Sequence, residues 1–107
     1  MSQTIQYGIL LNRLFDLDHC IRFTAVTNKS GDIFAKGSKP DAKLFLFPEE
    51  TQETTHHAIN AWSSREKYYY KIGHGLYALA GYEKLQRATI PLSRGNLLLV
   101  TIDNAGG

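Results

Sequence analysis

Leu97-Leu98-Leu99-Val100-Thr101-Ile102 is the most continuous apolar run in the chain. It has the length of a strand, and a run without polar alternation suits a strand covered on both faces. Such a strand needs neighbours, and the residues before it supply them. Ser93-Arg94-Gly95-Asn96 is a turn signal. Residues 85–92 read as a second strand, in which Pro91, having no N–H, suits an edge or a strand end. Residues 76–82 alternate loosely and join it through a tight connection at Glu83-Lys84. The last third of the sequence therefore reads as three successive strands.

Further upstream the period changes. Pro48 fits the first position of a helix, where its missing N–H costs nothing. Glu49, Glu50 and Glu53 follow in the first turns, at the positive end of the helix dipole. The pattern predicts a helix to about residue 69, with Thr51, Thr55, Ala58, Trp62, Arg65 and Tyr69 on one stripe and Glu66 and Tyr70 as an i,i+4 pair. Only Ile59 and Trp62 are strong hydrophobes in its middle, so it should cover a sheet by one edge, and Gly73 and Gly75 end it.

In the first half, Tyr7, Leu11 and Leu14 form a helical stripe over residues 4–16, with Ile5 and Ile9 beside it and Thr4 or Ser2 as a cap. Residues 21–28 alternate as a strand. Ile21, Phe23 and Ala25 point one way; Arg22, Thr24 and Asn28 point the other, and Val26 breaks the polar face. Asn28-Lys29-Ser30-Gly31-Asp32 is a turn leading to a short strand at 33–36, which completes a hairpin. Residues 37–43 read as a lysine-bearing loop, and the state of Leu44-Phe45-Leu46-Phe47 is open. The element order is α-β-β-α-β-β-β, without repeats or a linker, which predicts one domain over residues 1–107.

Composition narrows the functional classes. A chain of 107 residues holds one core. A chain this short buries only about two-thirds of its unfolded surface, so pairing with a second copy would help it. Net charge +2, with basic residues spread out and interrupted by acids, argues against nucleic acid. One cysteine, Cys20, cannot close an internal disulfide and suggests a reducing compartment. No apolar stretch approaches the roughly 20 residues of a membrane span, and no leader-like segment opens the chain. The expected location is the cytoplasm.

Several constellations invite chemistry. Glu53 and His57 share a helix face, with His56 beside them and His74 as a third donor if the loop folds back. Adjacent histidines point about 100° apart on a helix, so solvated polar residues are the simpler reading and no metal is assigned. Cys20 with His19 lacks a placed base, which leaves a structural thiol rather than a nucleophile. Ser30 and Ser93 sit in turns without a nucleophile elbow. Gly73-His74-Gly75 and Gly81 make no phosphate loop. No catalytic residue, cofactor or enzyme activity is expected. Lys67-Tyr68-Tyr69-Tyr70-Lys71 mixes basic and aromatic residues and fits a helical dimer interface better than a stacking surface for bases. Trp62, Arg65 and Tyr69 are the interface residues expected, although core packing explains Trp62 equally well. The terminal Gly106-Gly107 matches ubiquitin-like modifiers and sulfur carriers, and equally a frayed tail.

Two hairpin strands, a connecting helix and a three-stranded meander resemble the roadblock, longin and profilin-like group. Ile21-Arg22-Phe23, Asn28-Lys29-Ser30-Gly31-Asp32-Ile33, Arg65-Glu66-Lys67, Ile90-Pro91-Leu92 and Leu97-Leu98-Leu99-Val100 also resemble a family of small proteins of ammonia-oxidising (thaumarchaeal) archaea. The resemblance spans residues 5–103 and brings no catalytic residues. It implies an α+β roadblock/profilin-like fold with a five-stranded antiparallel sheet in the order 2-1-5-4-3. The long helix between strands 2 and 3 would cover one face and the N-terminal helix the other. It also implies a scaffold that pairs as a homodimer or with another protein. No helix is expected after the last strand, which would leave part of one sheet face for a partner and sets the chain apart from scaffolds of small GTPases. The expected function is a non-catalytic interaction or regulatory module. The alternatives are a PAS-like small-ligand sensor, with a pocket lined by Phe23, Ile59 and Leu99, and the diglycine carrier.

Overall fold

The computed structural model describes residues 3–39 and 48–104. Expectations for Ser2, for residues 40–47 and for Gly106-Gly107 lie outside those residues, as do the side chains of Thr4, Ile5 and Pro48. The elements are α1 (Gln3–Leu17), β1 (Ile21–Thr27), β2 (Ile33–Ser38), α2 (Pro48–Glu66), a single turn α3 (Tyr69–Ile72), β3 (Ala78–Gly81), β4 (Leu85–Pro91) and β5 (Leu97–Asp103). The five strands form one antiparallel sheet in the order β2-β1-β5-β4-β3, as expected.

β5 is the central strand, and its apolar run is sorted by the pleat. Leu98 and Val100 join Leu11, Ile21 and Val26 in one buried cluster; Leu97 and Leu99 join Ala25 and Trp62 in the other. Tyr7, Leu14 and Phe15 of α1 pack on the first cluster, and Ala58 and Ile59 of α2 on the second. One helix thus lies on each face, and the alternation of side chains along β5 serves both. The α1 stripe is narrower than the sequence suggested. Leu11 is buried and Tyr7 and Leu14 are half-buried, but Ile9 is largely exposed, because the helix meets the sheet along the Tyr7–Leu11–Leu14 line.

β1 departs from simple alternation. Ile21 pairs with Ile102 and Phe23 with Thr101, so two steps on β1 oppose one on β5. This bulge at Arg22 turns Ile21 to the α1 face, while Phe23 and Ala25 face α2. The three residues expected on one face are therefore divided between two. The face expected to be polar is buried under α1, with Thr24 and Val26 inaccessible. Arg22, also buried, pairs through Nη1 with Asp103 Oδ1.

The turns follow their chemistry. Asn28 Oδ1 accepts hydrogen bonds from the Ser30 and Asp32 N–H groups at 2.9 and 3.0 Å, and Gly31 takes a φ of +90°. β2 runs two residues further than expected, to Ser38. Pro91 closes β4, the strand-end position its missing N–H allows.

Candidate interaction surface

α2 runs for 19 residues and ends at Glu66, three residues earlier than the sequence suggested. The Tyr68 N–H bonds to the Arg65 carbonyl at 3.1 Å, a tightened last turn. The chain then makes the one-turn α3, breaks at Gly73 with φ +90°, and runs without regular structure to β3. The expected Glu66–Tyr70 pairing on one continuous helix is lost with that break.

The break separates the aromatic residues into two sets. Trp62 stays on α2 and is 7% exposed, and its indole Nε1–H donates to Thr89 Oγ1 on β4 at 2.9 Å. The Arg65 guanidinium lies 4.6 Å from the centre of its ring, a stacking cation–π contact. Gly75, on the returning chain, sits so close to Trp62 that a Cβ would come 2.2 Å from Cζ3. The returning segment thus packs on the indole, and only glycine fits there. Tyr69, half-buried, meets the His74 ring at 5.2 Å between centroids. Trp62, Tyr69 and His74, with Lys29, Glu66 and Asn96, line an open cleft of about 550 Å³.

The second set faces outward. Among the described residues ten large hydrophobic side chains are exposed, and seven of them lie in residues 68–82: Tyr68, Tyr70, Ile72, Leu76, Tyr77, Leu79 and Tyr82. Tyr70 and Ile72 are 80% and 82% exposed, on the turn that follows α2. Leu79 is on β3, which among the described residues pairs with β4 alone. The exposed Leu76, Tyr77 and Tyr82 flank β3 in the chain, and its four residues, Ala-Leu-Ala-Gly, carry neither charge nor proline to deter pairing at its outer edge.

Of the three interface residues expected, the structure places Trp62 in the core, Arg65 on the surface over the Trp62 ring and Tyr69 at the cleft. Tyr68 and Tyr70 lie in the stretch that the sequence assigned to a dimer interface, whereas Ile72, Leu76, Tyr77, Leu79 and Tyr82 were missed by sequence reasoning. The signal was the length of helix: once α2 ends at Glu66, the tyrosines that follow leave its stripe.

The other candidates fall apart. Glu53, His57 and His74 do not converge. Among the described residues the only cluster of donors with metal-binding spacing is Asp18, His19 and Cys20. His56 packs on Gly31 in the β1–β2 turn. The pocket expected beside Phe23 and Leu99 measures about 20 Å³, room for a single water. Ile59, placed in the same pocket by the sequence, lines the 550 Å³ cleft instead. Cys20 is half-buried, with Sγ 3.6 Å from His19 Nε2. Burial first, and then the Asp18 carboxylate, push its thiol pKa above the ordinary value, the wrong direction for a nucleophile.

No family model matches the chain, and no curated protein does. Solved structures do. The gliding protein MglB of Thermus thermophilus superposes with a TM-score of 0.74 at 9% identity, covering 96% of this chain and 76% of that one. MglB of Myxococcus xanthus gives 0.69 at 12% identity over 97% and 74% of the two chains. A roadblock/LC7 domain from Streptomyces avermitilis gives 0.67 at 11% identity over 92% and 78%.

The chain has the roadblock/LC7 fold.

A further solved MglB is described as having a tetrameric arrangement. At these identities the likeness extends to the fold alone. It also removes the β-grasp frame that a diglycine carrier would need. No helix among the described residues is long and apolar enough to cross a membrane.

Proposed function

We propose that this chain is a non-catalytic interaction or regulatory module, one domain that pairs with a second copy of itself and serves as a scaffold or sensor. The observation that carries the reading is the run of exposed apolar side chains in residues 68–82 beside the edge of β3 that no other described strand pairs with. Two β3 edges meeting antiparallel would join two sheets across a two-fold axis. Each copy would then offer the other the same patch, as a closed dimer requires. Aromatic residues in such a patch supply large buried area at small entropic cost. Arg65 and Tyr69 belong to the rim of this interface, and Trp62 supports it from beneath through Arg65, Gly75 and Thr89. The tetrameric arrangement of one solved protein of the same fold supports self-association. The cytoplasm remains the proposed location, on the single cysteine, and the resemblance over residues 5–103 supports an archaeal kinship.

The test is the solution mass at low micromolar concentration, by size-exclusion chromatography with light scattering. The expected result is about twice 12.0 kDa, falling to the monomer mass in the double variant Tyr77→Lys, Leu79→Lys. A monomeric wild type, or a double variant that keeps the dimer mass, overturns the reading. The small-ligand sensor keeps one supporting observation, the 550 Å³ cleft, whose size is within the range of small-molecule sites.

A further inference from the structure

α1 and β1 are joined by a three-residue turn, and all three residues carry metal-binding donors: Asp18, His19 and Cys20. The turn is held by backbone bonds. The Asp18 carbonyl accepts the Ile21 N–H at 3.2 Å, and the Cys20 carbonyl accepts the Asp103 N–H at 2.7 Å, which ties Cys20 to the central strand. Asp18 Oδ1 folds back over the turn and accepts the Cys20 N–H at 2.9 Å. Two of the three donors are therefore anchored, one to β5 and one to the turn itself. The third, the exposed His19 ring, lies between them. Its Nε2 is 3.6 Å from Cys20 Sγ, and its Nδ1 is 3.7 Å from Asp18 Oδ1.

These separations can be compared with a coordination sphere. In a tetrahedral zinc site sulfur lies at about 2.3 Å and nitrogen at about 2.0–2.1 Å, so the sulfur–nitrogen edge is about 3.5 Å. The Cys20–His19 pair already has that edge. The two measured contacts use different ring nitrogens, and one ion takes only one of them; with one donor atom from each residue the three lie within 4.8 Å of one another, so an oxygen–nitrogen edge of about 3.3 Å requires the exposed imidazole and the carboxylate to close by no more than about 1.5 Å. Thiolate, imidazole and carboxylate together are a borderline-soft set that suits zinc-like divalent ions and leaves a fourth position for water.

The surrounding charges are mixed. The Asp18 and Asp103 carboxylates act on the thiol through their charge, and the Lys39 ammonium opposes them. Arg22 is paired with Asp103. A dication at the turn would meet the Asp18 carboxylate directly, with the Lys39 ammonium as the opposing charge. We propose that Asp18, His19 and Cys20 form a surface site for one zinc-class divalent cation per chain. On binding, the Cys20 S–H bond gives its proton to solvent and the sulfur takes up the metal bond, so no electron is transferred and one proton is released per ion. Affinity therefore weakens as pH falls, by about tenfold per unit for that proton.

The test is titration of the reduced, metal-free protein with cobalt(II), followed by displacement with zinc(II). One equivalent per chain should produce a thiolate-to-cobalt charge-transfer band and the intense visible bands of a tetrahedral ion. Cys20→Ser should remove the charge-transfer band, and His19→Ala should weaken zinc binding at least tenfold. Asp18→Asn should weaken it less, since the amide can still order the turn. His57→Ala should change nothing. Circular dichroism and the metal-free unfolding midpoint of His19→Ala should match wild type, which separates ligation from folding. No thiolate band at one equivalent overturns the proposal, as does wild-type zinc affinity in His19→Ala. Half an equivalent per chain with a doubled mass overturns it too, because the thiols of two chains would then share the ion.

Discussion

Residues 97–100 and residues 68–82 are both rich in large apolar side chains, yet the first are all buried and the second are mostly open. The two stretches differ in sheet position more than in composition. β5 has strands on both sides and a helix on each face, so every side chain along it meets protein. Among the described residues β3 has one neighbour, and the chain leading into it leaves α2 before the sheet can cover its tyrosines. Apolar surface at the centre of a sheet contributes to folding; the same surface at an edge is free for association.

The sharpest way to break this contrast is a deletion at the centre. Leu98 is 6% exposed and belongs to the cluster beneath α1. Leu98→Ala should cost about 2–5 kcal/mol, from lost transfer energy and the cavity left behind. Urea or thermal unfolding reads this directly, since about 1 kcal/mol moves the midpoint of a domain this size by roughly 4–8 °C. A shift of only one or two degrees would mean that β5 is not the packed centre described.

A smaller effect tests how the buried centre reaches toward the patch. The hydrogen bond from the Trp62 indole N–H to Thr89 ties α2 to β4, one strand from the edge. Thr89→Val keeps the shape and removes the acceptor. It should cost about 1–3 kcal/mol by leaving a buried N–H unpaired. Trp62 fluorescence, measured on the folded protein, should change with it. An unchanged midpoint and spectrum would show that water replaces the hydroxyl, and that the support beneath Arg65 and Gly75 is looser than the geometry suggests.

The third prediction has the opposite sign. Thr24 on β1 is inaccessible, and its Oγ1 has no hydrogen-bond partner among the described residues. It lies beside Gly37, whose near face is closed by the Phe15 ring. Thr24→Val replaces an unsatisfied hydroxyl with a methyl group in the same space. The result should be a gain of about 1 kcal/mol, read from the urea midpoint at unchanged slope. A loss would show that the hydroxyl has a partner, and would place polar structure in a face that is otherwise the dry side of β1.

How much of this was legible depends on whether a feature is local. The run at residues 97–102 announced a central strand because its period and length are local. Asn28, Gly31 and Pro91 announced their turns and strand end for the same reason. The bulge at Arg22 could not be read, since it is defined by register against β5, some 80 residues away. The separation of Trp62 from Tyr70 was equally hidden. Both are aromatic residues on one predicted helix, and the early end of α2 decides which is buried. Asp18, His19 and Cys20 are adjacent in the sequence, but their convergence depends on the carboxylate folding back to the Cys20 N–H. That bond also holds the Asp18 carboxyl below its ordinary pKa, and nothing in the spelling of the tripeptide shows it.

The smallest effect on folding should come from the edge, and it is the most informative about function. Leu79 lies on β3 opposite Ala88 of β4, and more than half of its surface is open. Leu79→Thr keeps a residue suited to a strand and removes an apolar side chain that the isolated copy hardly uses. In dilute protein its unfolding free energy should stay within about 0.5 kcal/mol of wild type. Self-association, followed by the concentration dependence of the mass, should nevertheless weaken. The pairing of these two outcomes carries the argument. A mutation that lowers stability and association together cannot separate a core residue from an interface residue, because a dimer's stability is itself concentration-dependent. One that leaves folding alone and weakens association places the apolar surface of residues 68–82 where the sheet order leaves it, between two copies. If Leu79→Thr instead costs as much as Leu98→Ala, the edge is as well packed as the centre, and the distinction between the two regions fails.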